Sequence, residues 1–124
     1  MKLIIAGSRN FKSINRYTID MYLNFFEITD ITEIIAGGCK TGADNAALWY
    51  AKNNDIIYKE FPADWGNLGL KAGPVRNKEM AKYGDKLLLI WDGESKGSKD
   101  MKNNMEKVNK TIYEVILKVN NVKA

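Results

Sequence analysis

Three short apolar runs, each stopped by a glycine-bearing loop, constrain this chain more than any other feature. Residues 2–6 run into Gly7-Ser8-Arg9, and residues 33–36 into Gly37-Gly38-Cys39-Lys40-Thr41-Gly42-Ala43-Asp44. Residues 86–91 run into Asp92-Gly93-Glu94-Ser95-Lys96-Gly97-Ser98. Runs of branched residues with little polar alternation read as strands buried on both faces, the signature of a parallel sheet. All strands of such a sheet end at one edge, so loops distant in sequence meet over one crevice there.

The intervening segments carry helical spacing. Ser13 is a candidate cap for a helix whose apolar positions are Ile14, Tyr17, Met21 and Phe25. Ala43, Ala46, Ala47 and Ala51 predict a second helix lying close on the sheet. Residues 55–61 read as a strand with Ile56, Ile57 and Phe61, followed by a loop over residues 62–69. Pro74 suits the first turn of a helix that runs to Tyr83 and stops at Gly84. Residues 86–91 form the most hydrophobic strand, suited to the sheet interior. Residues 99–108 read as helix and residues 111–117 as a last strand or a continuation of that helix. This alternation predicts an α/β fold: one Rossmann-like domain over residues 1–124, about five parallel strands in the order 3-2-1-4-5, and helices on both faces.

Composition removes several chemistries. The 124 residues contain no histidine, and so lack the commonest general base and metal ligand. Cys39 is the single cysteine, so no intrachain disulfide and no thiolate cluster can form. No metal site is expected, and a cytoplasmic location fits. The apolar run at residues 3–6 is too short for a signal peptide or a membrane span. With 19 basic and 15 acidic side chains the net charge is +4, mild and scattered. That balance supports an anionic small ligand about as well as nucleic acid. It is too modest and too dispersed to favour DNA binding, so nucleic acid is not the expected partner.

The loops supply the candidate site. Gly7 opens the first turn, Ser8 can donate to a phosphate oxygen, and Arg9 can grip one in bidentate fashion. Gly37, Gly38 and Gly42 let backbone N–H groups approach a ligand, and Lys40 and Thr41 add a cation and a hydroxyl. Asp44 can cap the next helix or accept from a ribose hydroxyl. This spacing is neither a Walker loop nor a dinucleotide fingerprint. Cys39 reads as a small filler, since no histidine is present to activate it. Gly73, Pro74, Arg76 and Asn77 open a helix. A cation there opposes the helix dipole by only about 0.3–1 kcal/mol, whereas a charge-assisted bond to an anion contributes about 1.5–3 kcal/mol. Asp92, Gly93, Ser95, Gly97 and Ser98 repeat the theme, with Asp92 able to orient a ribose or a water. Asp64 and Trp65 lie in the loop before Gly73, and the Trp65 indole can stack on a base. Trp91 reads as core.

Taken together, Gly-Ser-Arg, Gly-Gly-x-x-x-Gly-Ala-Asp, Gly-Pro-x-Arg-Asn-x-x-Met (Gly73 to Met80) and Trp-Asp-Gly-x-Ser-x-Gly-Ser (Trp91 to Ser98) resemble the YspA/YpsA-related branch of the SLOG superfamily, named for Smf/DprA and Lonely Guy proteins. The resemblance spans residues 2–117. It implies a Rossmann-like sheet whose glycine loops hold a nucleotide or a nucleotide derivative. Lonely Guy enzymes are phosphoribohydrolases that pair an arginine with a glutamate. Arg76 matches that arginine, but the glutamate position falls on Met101, with Asp100 one residue out of register. Without that carboxylate the cation developing at the sugar C1′ loses its partner.

The expected function is therefore binding of an NAD-, ADP-ribose- or nucleoside-phosphate-like molecule, with no further cofactor. The role is that of a sensor or a sequestering protein, such as a phage protein that withholds a host immune signal. The alternative is a nucleotide glycosidase using Arg76 with Asp44, Asp92 or Asp100. An apolar surplus at Tyr17, Tyr22, Phe25 and Phe26, together with the habit of the superfamily, points to a homodimer or higher homo-oligomer.

Overall fold

The computed structural model describes residues 1–11 and 13–118, so the end of the expected domain, residues 119–124, lies outside the described residues. Five strands are present: β1 (Lys2–Gly7), β2 (Glu33–Ala36), β3 (Ile57–Glu60), β4 (Lys86–Trp91) and β5 (Thr111–Ile116). They form one all-parallel sheet in the order β3-β2-β1-β4-β5, the order expected from the sequence. The most apolar strand, β4, lies inside the sheet between β1 and β5, and β1 takes the middle.

Both faces of the three inner strands are buried, which explains why their sequences show no polar alternation. Leu3, Ile5, Ile34, Leu88 and Ile90 point to one face. There they meet α1 (Arg16–Phe25) and α2 (Gly42–Asn53) through Ile19, Leu23, Ala43, Ala46 and Ala47. Ile4, Ile35, Leu87, Leu89 and Trp91 point to the other face. They meet α4 (Ala72–Tyr83) and α5 (Lys96–Lys107) through Met80, Ala81, Met101 and Met105. The alanine row of α2 is buried, so that helix lies close on the sheet. Gly84 ends α4 at φ −80°, so its role is close packing: a Cβ there would press into the Ile4 side chain.

Four expectations need correction. Helix α1 starts at Arg16, capped by Asn15 and not by Ser13. The Asn15 side chain accepts from the N–H groups of Tyr17 and Thr18, and Thr18 Oγ1 accepts from Asn15 N–H. The face of α1 turned to the core carries Ile19 and Leu23, while Tyr17, Met21 and Phe25 face solvent. The helix carries two apolar stripes, and periodicity cannot say which one is buried. Residues 62–69 are not all loop: Asp64 caps a short helix, α3 (Trp65–Leu68), by accepting from Asn67 N–H, and a single 3-10 turn leads to α4. Strand β3 is shorter than read and largely exposed, as befits an edge; Ile57 stands in solvent and Lys59 discourages further pairing.

Among the described residues no helix is long and apolar enough to cross a membrane.

Candidate functional site

Strand order reverses between β1 and β4, and the main crevice opens beyond their carboxyl ends. Its volume is about 500 Å³. From the expected site residues it gathers Gly7, Ser8, Arg9, Gly37, Gly38, Asp44, Trp65, Arg76, Asn77, Ser95, Gly97 and Ser98. Ala6, Asn10, Cys39, Ala63, Met80 and Met101 complete the wall. Sequence reasoning passed over Asn10 and gave Cys39 no part in the site; a place in a glycine-bearing loop at a strand end was the signal for both.

The tight turn after β1 depends on missing side chains. Ser8 N–H donates to Ile90 O at 3.1 Å, drawing the loop onto β4. A Cβ on Gly7 would collide with the Ile90 carbonyl, so only glycine fits that crossing. Gly42, at φ +69°, lies against the Ser8 carbonyl in the same way, which locks the start of α2 to the first loop. Gly42 thus shapes the crevice from behind and does not line it.

Three serine hydroxyls stand at the α5 end. Ser8 Oγ accepts from Asp92 N–H at 3.1 Å and lies 2.8 Å from Ser95 Oγ. Ser95 Oγ donates to Asp92 Oδ1 at 3.0 Å, so the Ser8 proton goes to Ser95 and the Ser95 proton to Asp92. Ser98 keeps its own proton for a ligand. Ser95 makes no side-chain cap, and the first backbone bond of α5 is Lys99 N–H to Ser95 O. The N–H groups of Lys96, Gly97 and Ser98 therefore have no acceptor within the helix. With the helix dipole they favour an anion.

Asp92 does not line the crevice. Its Oδ1 accepts from the N–H groups of Glu94 and Ser95, and these bonds hold its carboxyl below the usual 3.8. Asp92 orders the loop, and Gly93 makes its turn at φ +84°.

Arg76 corrects the expectation of a first-turn cation. Helix α4 begins at Ala72, which places Arg76 in the second turn, clear of the unpaired N–H groups. Its Nε donates to Asn77 Oδ1 at 2.9 Å, and its Nη1 to Gly37 O at 3.1 Å and Phe61 O at 3.4 Å. The guanidinium thus ties the ends of β2 and β3 to α4, and Nη2 has no partner among the described residues. Neither Glu79 nor Asp64 pairs with it. Asn77, almost fully buried, passes the tie onward through Nδ2 to Gly97 O and Asp100 Oδ2.

Asp44 is the one carboxylate lining the crevice among the described residues. Its Oδ2 accepts from Cys39 N–H at 3.1 Å. Burial pushes its pKa above the usual 3.8, against the opposing pull of that N–H and of the Arg76 and Arg9 guanidiniums. The position matched to the glutamate holds the buried thioether of Met101, and Asp100 is engaged with Asn77 and Asn104.

Several expected site residues stand outside the wall. Lys40 and Thr41 are exposed on the loop before α2 and point past the crevice. Asp64 is engaged in capping α3. Gly73 packs under the Trp65 ring, where a Cβ would meet the indole at 3.3 Å, and Pro74 follows it in the exposed first turn. Trp65 itself is half-exposed on the crevice rim. Trp91 is core, its Nε1–H donating to Glu114 Oε2 at 2.8 Å. No group of three or more His, Cys, Asp or Glu side chains is placed to hold a metal among the described residues.

Comparison with protein-family models, with curated proteins and with solved structures found no match to this chain.

Proposed function

We propose that this chain binds a nucleotide-derived small molecule, of the NAD, ADP-ribose or nucleoside-phosphate kind, in the crevice beyond β1 and β4. The observation that carries the reading is the distribution of chemistry along one wall. Donors for an anion (Ser98, the first α5 N–H groups and Arg9) line it, and the Trp65 indole lies on the rim. A phosphate at the donors and a base on the indole match an amphipathic nucleotide. The motifs that resemble the SLOG superfamily supply most of these residues, which supports membership of its YspA/YpsA-related branch. The role that fits is a cytoplasmic sensor or sequestering protein, including a phage protein that withholds a host signal. Calorimetry against ADP-ribose, cyclic ADP-ribose isomers, NAD and AMP tests the reading. Binding of at least one, weakened about tenfold or more by Arg9→Ala through loss of a charge-assisted bond, is the expected outcome. No heat with any of the four removes the reading.

One observation favours a second reading, hydrolysis of the nucleotide glycosidic bond: Asp44 lines the crevice and holds its proton more tightly than an ordinary carboxyl. A carboxyl raised in this way can act as an acid toward a departing base. Free base released from a nucleoside monophosphate, and abolished in Asp44→Asn, is the result this reading requires.

A further inference from the structure

We infer that the outer face of α4 and α5 docks on duplex nucleic acid, gripping the phosphate backbone without regard to sequence. The charge surplus that looks scattered along the chain is sorted by the fold. Helices α4 and α5, on one face of the sheet, carry seven basic and three acidic side chains. Helices α1 and α2, on the other face, carry two of each. The surplus of the α4–α5 pair therefore matches the +4 of the whole chain.

Burial fixes which way these lysines point. Helix α4 buries Ala72, Gly73, Asn77, Met80 and Ala81, and α5 buries Ser98, Met101 and Met105. At about 100° per residue, Lys71, Lys78 and Lys82 fall within about 50° of the line opposite the buried side of α4. Lys96, Lys99 and Lys107 do the same on α5. All six are exposed, and none pairs with a carboxylate among the described residues. The acids stand off these two crests. Asp100 is engaged with Asn77 and Asn104. Lys102 pairs with Glu114 on β5, and Glu106, one turn further on, lies along that outer flank. Asn77 reaches toward α5, so Glu79, about 200° round from it, faces the other way. The seam between the crests holds no exposed carboxylate from either helix.

The two helices pack side by side and cross between parallel strands, so they run in the same direction. Axes of packed helices lie about 8–10 Å apart, between the roughly 6 Å and 12 Å widths of the two duplex grooves. Each crest is about 16 Å long, so each can follow the phosphates of one strand. The chemistry of the face selects this partner over others. Protein interfaces are rich in Tyr, Trp and Arg and poor in Lys, the reverse of these crests. Helices that lie in a membrane surface insert Trp, Phe or Leu, and neither α4 nor α5 contains one. Single strands are held by stacking bases on aromatic rings, and neither helix exposes an aromatic side chain. Rows of ammonium groups displace counterions from a duplex backbone.

Fluorescence anisotropy of the full chain with a labelled duplex of about 20 base pairs, over a salt series, tests the inference. Log affinity falls with log salt at a slope of about −5, the value for six phosphate contacts. Lys78→Gln with Lys82→Gln cuts that slope by about 2, as does Lys99→Gln with Lys107→Gln. These side chains are exposed, so both variants keep the circular dichroism of the parent. Lys52→Glu on α2 leaves the slope unchanged, and a duplex of unrelated sequence binds within about threefold. Absence of binding at low salt overturns the inference, as does a flat salt dependence or an equal loss in Lys52→Glu. Tighter binding of a single strand than of the duplex also overturns it. Binding to phosphatidylserine vesicles without binding to the duplex assigns the face to a membrane instead.

Discussion

Asp44 holds its proton more tightly than an ordinary carboxyl although two guanidiniums and a backbone N–H favour its charge, because burial outweighs all three. The consequence for pH has a definite sign. A carboxyl whose folded pKa lies above its unfolded value binds a proton more tightly in the folded chain, so the fold loses stability as pH rises between the two values. Below the ordinary 3.8 the penalty is absent; above the raised folded value it is complete. Asp44→Asn, which can still accept from Cys39 N–H, is therefore more stable than the parent at pH 7, and the gap closes as the pH falls toward 4 and below. Urea midpoints across that range measure it, and a gap independent of pH contradicts it. The neighbouring Arg76 shows what sequence leaves out. Its presence at the crevice was legible from Gly73-Pro74-Val75-Arg76-Asn77. Its bonds to Gly37 O and Phe61 O were not, since they depend on where three separate chain segments end in space. Lys40 and Thr41 failed for the converse reason: a loop can hold the right residue types and still turn them outward.

Among the elements, α1 separates what periodicity can reveal from what it cannot. Existence and length followed from spacing. The buried stripe did not, because Tyr17-Met21-Phe25 and Ile19-Leu23 are equally apolar patterns a fraction of a turn apart. The cap was misplaced as well, since Ser13 and Asn15 are both good capping residues by type and only the chain path chooses. The reciprocal bonds of Asn15 and Thr18 make that choice. Asn15→Ala is expected to cost about 1 kcal/mol, whereas Ser13→Ala, whose backbone carbonyl alone meets Thr18 Oγ1, is silent. Denaturant midpoints of the two variants decide between the caps. A larger loss at Ser13 reverses the assignment. The strands were more legible than the helices. Burial on both faces writes itself into unbroken apolar runs, while edge strand β3, exposed along most of its length, showed its limits poorly.

At the level of the whole molecule, the strand order and the crevice arise from one cause. The chain winds outward from β1 through β2 to β3, then returns to the other side of β1 for β4 and β5. That reversal sends the helices after β1 and β4 to opposite faces of the sheet, and the crevice opens beyond the loops that lead to them. The short helix α3, which sets Trp65 on the rim, escaped notice because four residues carry too little pattern to reveal a helix. The crevice wall therefore comes from segments scattered from Ala6 to Met101, which only the folded chain brings together. A ligand held there binds the folded state alone, and its affinity appears as thermal stability. At a concentration 100-fold above its dissociation constant the gain is about 2.7 kcal/mol, or a rise of about 10 °C in Tm for a domain of this size. Thermal melts with ADP-ribose, NAD and AMP read this directly. The rise must shrink in Arg9→Ala, which removes a donor from the crevice wall, and persist in Phe25→Glu, whose side chain lies away from that wall. An equal rise in Arg9→Ala places the ligand elsewhere, because that guanidinium lines the crevice.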